Sequence, residues 1–223
     1  MKRNVDLKEI SDGNLYGLND MVKAGCCDCK GCSDCCHGMG NSIVLDPFDI
    51  YRLVTNLGIT FEQLLSDKIE LNVVDGIILP NLKMKEKEDA CGFLNSEGRC
   101  SIHQFRPGIC RLFPLGRYYE SGNIQYFLQV HECTNKKRVK VKVRQWIDTP
   151  DIKKYEQFVK DWHYFILELT EKLAESNIEC LMKTCSMYIL NQFFIKPYSY
   201  DADFYTQFKC RLLEAKAWKE TIG

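Results

Sequence analysis

The sequence predicts an α+β, α-rich chain: an irregular, metal-stapled cysteine-cluster domain followed by a C-terminal helical segment. Three observations predict it. Six of the eleven residues from Cys26 to Cys36 (CCDCKGCSDCC) are cysteines, namely Cys26, Cys27, Cys29, Cys32, Cys35 and Cys36. A thiol packs as a small hydrophobe, but a core has no use for six of them within a few turns, so the run points to metal chemistry. Between Ile69 and Val143, short apolar runs are bounded by turn dipeptides, as in strands. After Trp146 the apolar residues recur every three or four positions, as in amphipathic helices. The expected division is a cysteine-cluster domain over 1–145 and a helical extension over 146–223 packed on it.

Residues 1–25 are mixed and polar, broken by Gly13, Gly17 and Gly25, and predict loop with a short helix. The cysteine run leaves through the turn-rich His37–Asn41. Asp46-Pro47 starts a helix, with Asp as cap and Pro in the first turn. Ile50, Leu53, Val54 and Leu57 continue it and Gly58 closes it. Thr60 with Gln63 forms a capping box for a second helix through Leu65. Ile69–Leu82 reads as a hairpin around Asp75-Gly76, and Lys83–Asp89 as a charged loop. Glu97-Gly98 and Ser121-Gly122 are turns. Ile124–Val130 reads as a strand, and Val139–Val143 as a half-exposed one. Thr149-Pro150-Asp151 starts a long helix carrying Ile152, Tyr155, Val159, Trp162, Ile166, Leu169 and Leu173 on one face. Ile178–Phe194 forms the next, Lys196-Pro197-Tyr198 breaks the chain, and Asp203–Lys219 forms a third with Phe204, Phe208, Leu212 and Ala215 aligned.

The chain has 223 residues, enough for one sizeable core and a small second lobe. Thirty basic and thirty acidic residues balance to zero, so no global field draws nucleic acid or anionic lipid. The N-terminal residues lack the apolar stretch of a secretory signal, and no apolar run approaches the about 20 residues of a membrane span. A cytoplasmic location without membrane contact is expected. Thirteen cysteines in a reducing compartment argue for metal ligation or redox work over disulfides, and an odd count fits poorly with full pairing.

Cys29, Cys32 and Cys35 are three apart, a spacing that lets one tight turn aim neighbouring sulfurs at one metal. Cys36 adjoins Cys35. Neighbouring side chains ordinarily diverge, so the two are expected to serve different metals or different parts of a cluster. Cys91, Cys100, Cys110 and Cys133 form a dispersed second set. Four plus four thiolates could complete two four-thiolate sites, of zinc or of four-iron clusters. Cys26 keeps the three-residue spacing and is a candidate extra ligand, or else a spare thiol, as Cys27 is. His37 and His103 could ligate or tune a metal, with a hydrogen-bonded structural role favoured for His103. Arg106, Arg111 and Arg117 flank Cys110, either compensating thiolate charge or making ordinary salt bridges. Pro107 and Pro114 stiffen that loop. Cys180, Cys185 and Cys210 read as core or half-buried packing residues, and His131 and His163 as structural or solvated. Lys136–Arg144 (KKRVKVKVR) reads as a solvated edge strand, with nucleic acid not expected. The aromatics Tyr155, Trp162, Phe165, Phe193 and Phe208 read as core.

The run Cys29, Cys32, Cys35, Cys36 (CxxCxxCC) is followed by C-x-F-L-x5-C-x-I-H-x2-R-P-x2-C-R-x-F-P on Cys91, Phe93, Leu94, Cys100, Ile102, His103, Arg106, Pro107, Cys110, Arg111, Phe113 and Pro114. Cys133 follows a strand. Over roughly residues 26–133 this resembles the YkgJ-like family, a zinc- or iron-chelating domain named for its CxxCxxCC motif. That family includes the cysteine-rich part of flagellin lysine methylases, which are linked to an iron–sulfur cluster.

A CxxCxxC run with remote cysteines is closer to ferredoxin-type loops than to paired zinc knuckles. Iron–sulfur clusters, of the 4Fe-4S type, are therefore the expected cofactor, with zinc as the alternative. No glycine-rich loop announces an adenosylmethionine pocket, and the radical-enzyme spacing CxxxCxxC fails because position 39 is Met. No motif singles out a catalytic dyad, and a full thiolate set denies zinc the open position that catalysis needs. The first functional reading is an iron–sulfur protein in electron transfer, redox sensing or support of a larger enzyme, with a protein partner. The second is a structural zinc module for protein interaction. The third is an enzyme related to protein lysine methyltransferases. In each of the first two, metal loss is expected to unfold the cysteine domain.

Overall fold

A computed structural model describes residues 6–26, 32–85, 87–135, 137–176 and 179–222. In chain order the elements are helix α1 (Leu7–Ile10), strand β1 (Met21–Gly25), a 3₁₀ turn (Asp34–Cys36), α2 (Pro47–Leu57), α3 (Phe61–Asp67), β2 (Ile69–Val74), β3 (Ile77–Leu82), β4 (Met84–Lys85) and β5 (Ala90–Cys91). There follow a second 3₁₀ turn (His103–Phe105), α4 (Gly108–Leu112), β6 (Leu115–Glu120), β7 (Asn123–Leu128), β8 (Val139–Lys142), α5 (Val143–Ile147), α6 (Ile152–Ser176), α7 (Glu179–Leu190), a π-helical turn (Asn191–Ile195) and α8 (Phe204–Thr221). The class is α+β, with antiparallel two-stranded ladders β1–β8, β2–β3, β4–β5 and β6–β7. Among the described residues no helix is long and apolar enough to cross a membrane. The chain divides into two compact units: Asn41–Lys83 with Gln157–Gly223, and Lys2–Gly40 with Met84–Glu156.

The first unit begins at local signals. The Asp46 carboxylate accepts from Asp49 N–H at 2.8 Å and the Asp49 carboxylate accepts from Asp46 N–H at 3.2 Å, a closed capping box ahead of α2. Gly58, at φ 66°, ends that helix in the left-handed conformation that costs glycine little. Thr60 and Gln63 repeat the device for α3, which runs to Asp67, past the expected Leu65. Asp75 and Gly76 both have positive φ, as a two-residue hairpin loop requires, and register Ile69 opposite Leu82. Ile78 N–H donates to Ser186 Oγ at 3.1 Å, tying α7 to β3. Leu53, Leu64, Ile69, Ile77, Phe165, Leu169, Cys185, Ile189, Phe193 and Ala215 are fully or nearly fully buried. Edge-on ring pairs thread this core, Phe158 with Phe208 at 4.6 Å and Trp162 with Phe193 at 5.0 Å between centroids. Arg211 of α8 closes the end of the π-helical turn. Its Nη1 donates to the Gln192 and Lys196 carbonyls at 3.0 and 2.7 Å, and its Nη2 to the Pro197 carbonyl at 2.7 Å.

The second unit holds more departures from expectation. β1 lies in the stretch read as loop and short helix. Its alternation is real, with Val22 and Ala24 buried and Met21 and Lys23 exposed, but it is completed only by pairing with the distant β8. The charged stretch Lys83–Asp89 carries β4, which pairs with β5. Leu115–Glu120, which showed no strand signal of its own, pairs with β7 across Ser121-Gly122, both at positive φ. Gly116 sits flat against the Phe127 ring, where a Cβ would collide. The long helix starts at Ile152, not at Thr149-Pro150. Thr149 Oγ1 donates to the Ile147 carbonyl at 3.2 Å, and Asp148 is the left-handed cap of α5, so the chain is still leaving one helix there. The Asp151 carbonyl accepts the first bond of α6, from Tyr155 N–H at 3.0 Å.

Of the three helical cysteines, Cys185 is buried, whereas Cys180 and Cys210 are exposed, on solvent faces of α7 and α8, correcting the packing role expected of them. Phe165→Ala is expected to cost about 3–5 kcal/mol, read as a lower urea midpoint at unchanged slope. A loss below about 1 kcal/mol would show that this face of α6 is not packed core.

Candidate metal centre

The cysteine segments are drawn together by backbone and side-chain bonds of ordinary kinds. The turn Asp34–Cys36 is closed by Cys36 N–H donating to the Ser33 carbonyl at 2.8 Å and His37 N–H to the Asp34 carbonyl at 3.2 Å. Its exit is fastened to the chain entering β5: His37 bridges Ala90, and Gly38 N–H donates to the Asp89 carbonyl at 2.9 Å. Cys91 is thereby placed beside the turn. A third segment joins when Thr134 Oγ1 donates to the Asp34 carboxylate, which fixes the residue after Cys133. Cys91 and Cys100 stand at the neck of a tight loop. Leu94 bridges Cys100, and Asn95 Oδ1 accepts from Glu97 N–H at 3.1 Å and Arg99 N–H at 2.8 Å.

The thiols act on one another. The Cys36 S–H donates to the Cys35 sulfur. That bond holds the Cys36 proton tightly and raises its pKa, with burial and the charges of Cys35, Cys100 and Cys91 adding to the rise. The same bond lowers Cys35 to about 7 against burial, helped by the Arg106 charge. The two neighbours therefore act on each other directly, where adjacent residues were expected to diverge. At Cys32 a bond from the Asp34 backbone N–H favours the thiolate, but burial and the charges of Asp34, Cys35 and Cys133 outweigh it and the pKa rises. Burial also raises Cys100, offset in part by the Ile102 N–H and by Arg106, while Cys35 adds to the rise.

Cys32, Cys35 and Cys133 thus lie in one electrostatic neighbourhood and Cys36, Cys91 and Cys100 in another, with Cys35 acting on both. Cys110 sits half-buried on α4, and Cys26 is buried at the end of β1. Cys27 and Cys29 lie outside the described residues. Among the described residues, no three His, Cys, Asp or Glu side chains stand together at metal-ligating geometry.

The three arginines part company. Arg111 is buried, its Nε donating to the Arg106 carbonyl at 3.1 Å, its Nη1 to the Asp148 carbonyl at 2.5 Å and its Nη2 to the Gln104 carbonyl. It staples backbone. Arg117 Nη2 donates to Tyr155 Oη at 2.8 Å. The charge of Arg106 bears on Cys35 and Cys100, and Arg99 adds to it at Cys100. Arg106 Nη1 meets His103 Nε2 at 2.6 Å, and because a guanidinium only donates, Nε2 accepts and the ring proton sits on Nδ1. His37 and His131 are exposed and His163 is half-buried. The Asp34–Thr134 pair was not singled out from sequence; the signal for it is a hydrogen-bonding residue directly beside a cysteine in each of two distant segments.

The donor set fits a soft metal or an iron–sulfur cluster. Near these thiols, the buried Arg106 Nε has no hydrogen-bond partner among the described residues. A family model described as "CxxCxxCC: Putative zinc- or iron-chelating domain" matches residues 28–185, more than half of the chain. The chain belongs to the CxxCxxCC family. The match takes in Cys29, Cys32, Cys35, Cys36, Cys91, Cys100, Cys110 and Cys133, and runs past the 26–133 stretch through α6 to Cys185 in α7. The CxxCxxCC domain therefore includes helices as well as the cysteine-bearing loops. No curated protein and no solved structure matches the chain.

In the metal-free CxxCxxCC domain, a lowered Cys35 pKa means that its thiolate forms first as pH rises. Alkylation at Cys35, followed by peptide mass mapping, is expected to climb through about pH 7, while Cys36 and Cys100 stay slow beyond the ordinary thiol value of 9.0. A Cys35 profile centred near that ordinary value would contradict the pairing of Cys35 with Cys36.

Proposed function

We propose that the domain holds one or more iron–sulfur clusters, of the 4Fe-4S type, on Cys29, Cys32, Cys35, Cys36, Cys91, Cys100, Cys110 and Cys133, and that it serves electron transfer, redox sensing or a larger enzyme through a protein partner in the cytoplasm. The observation that carries this reading is the gathering of thiols around the Asp34–Cys36 turn, where Cys35 and Cys133 act on Cys32, and Cys35, Cys91 and Cys100 act on Cys36. Two adjacent thiols that act directly on each other would crowd a single small ion. A polynuclear centre with metal atoms at separate corners accommodates them more easily, and Cys35, bearing on both groups of thiols, suits a continuous assembly. When bound, such a cluster supplies one-electron chemistry; the protein's part is to ligate it, bury it and set the charge around it.

The YkgJ-like resemblance, and through it the tie to flagellin lysine methylases, supports iron–sulfur over zinc. It also keeps a methyltransferase-related activity as a further reading, which adenosylmethionine binding by calorimetry tests. The zinc alternative, a structural module for protein interaction, draws on the family description, which names zinc beside iron, and on an all-thiolate set that would close a tetrahedral site.

Anaerobic purification with iron, zinc and acid-labile sulfide analysis decides among them. Iron and sulfide in comparable amounts with broad visible absorption, lost in Cys36→Ser, is the expected result. A colourless protein holding zinc without sulfide would overturn the cluster reading.

A further inference from the structure

Arg106 is held where one edge of its guanidinium is occupied and another is not. It ends the His103–Phe105 turn at φ −54° and ψ 152°, the extended geometry that a following proline imposes. Its carbonyl is pinned by Arg111 Nε at 3.1 Å. Nη1 is held by His103 Nε2 at 2.6 Å. Nε, buried, has no hydrogen-bond partner among the described residues. A buried N–H on a charged group without an acceptor is costly, so its retention points to an acceptor that arrives with a ligand. The charge of Arg106 is felt at Cys35 and at Cys100, which belong to the clustered and the dispersed cysteine sets. An anionic sulfur between those two segments would complete the guanidinium.

We propose that Arg106 is the charge-compensating donor of the metal centre, giving its Nε–H to a metal-bound sulfur at the junction of the Cys35 and Cys100 segments, and that His103 is its positioning residue, accepting from Nη1 instead of ligating metal. This rests on the thiolate-centre reading above and holds for zinc or for a cluster, since both carry net negative charge on sulfur. The sequence offers three equivalent arginines, but Arg111 and Arg117 are spent elsewhere, on backbone carbonyls and on Tyr155. Removing a cation beside an anionic centre weakens the hold on the metal and makes the added electron less welcome, so the potential falls.

The test uses the full chain, reconstituted anaerobically with ferrous iron and sulfide, or loaded with zinc alone. Metal release into excess chelator, midpoint potential and far-ultraviolet circular dichroism are followed in each variant. Arg106→Gln is expected to release metal about 10- to 100-fold faster, the usual scale for outer partners of a metal site, and to lower the potential of the iron-loaded form. Arg106→Lys keeps charge without the Nε–H and should fall between. His103→Ala should move toward Arg106→Gln, His103→Gln, which still offers an acceptor, should stay near wild type, and Arg117→Gln should match wild type.

Folded Arg106→Gln with wild-type release and potential overturns the proposal. So does complete metal loss in both His103 variants with Arg106→Gln unaffected, which would make His103 a ligand. Should Arg106→Gln fail to fold, Arg106→Lys and the His103 pair decide the matter, and wild-type behaviour in all three overturns it. A wild-type chain that takes up neither iron with sulfide nor zinc overturns the thiolate-centre reading itself, and this proposal with it.

Discussion

Two-stranded ladders bury too little to stand alone in water, and the described cysteine-bearing unit contains three of them, β1–β8, β4–β5 and β6–β7, beside helices of four or five residues. Apolar burial at Val22, Ile102, Leu115, Tyr126 and Ile147 fixes part of their arrangement, and more specific ties complete it. Two devices are visible. One is Arg111, a buried guanidinium tied to three backbone carbonyls drawn from Gln104, Arg106 and Asp148. The other is the set of backbone and side-chain bonds that brings the segments of Cys91 and Cys133 to the Asp34–Cys36 turn, where the proposed metal would add its own tie. The unit formed by 41–83 and 157–223 needs neither. It has a capped helix pair, a hairpin and three long helices around an aromatic core.

The same convergence explains the electrostatics. Burial and neighbouring thiols make Cys32, Cys36 and Cys100 harder to ionise. In the metal-free chain the tension is relieved by sharing a proton between Cys36 and Cys35. A metal bound there, as proposed, would take the place of that proton, so binding would release protons and affinity would rise with pH. The charge of Arg106 acts on the same balance at Cys35 and Cys100.

What could be read from sequence was what short segments decide. The caps at Asp46 and Thr60, the turn at Asp75-Gly76 and the aligned face Phe204, Phe208, Leu212 and Ala215 are each settled within a few residues, and all stand in the structure. β1 was hidden because its partner, β8, lies far along the chain. The start of α6 was misplaced because Thr149 bonds back to Ile147 and does not cap forward. In the site, spacing marked the cysteines, yet the direct interaction of Cys35 with Cys36 is not something spacing specifies. The separate fates of Arg106, Arg111 and Arg117 depend on His103, Asp148 and Tyr155, of which only His103 is near in sequence.

The central claim is that a thiolate-bound metal holds the cysteine unit together. Amide hydrogen exchange before and after complete, reductive removal of metal tests it most directly. The account predicts that protection over residues 90–134 collapses while that of residues 157–176 and 204–221 persists. Retained protection over 90–134 in fully metal-free protein would contradict it.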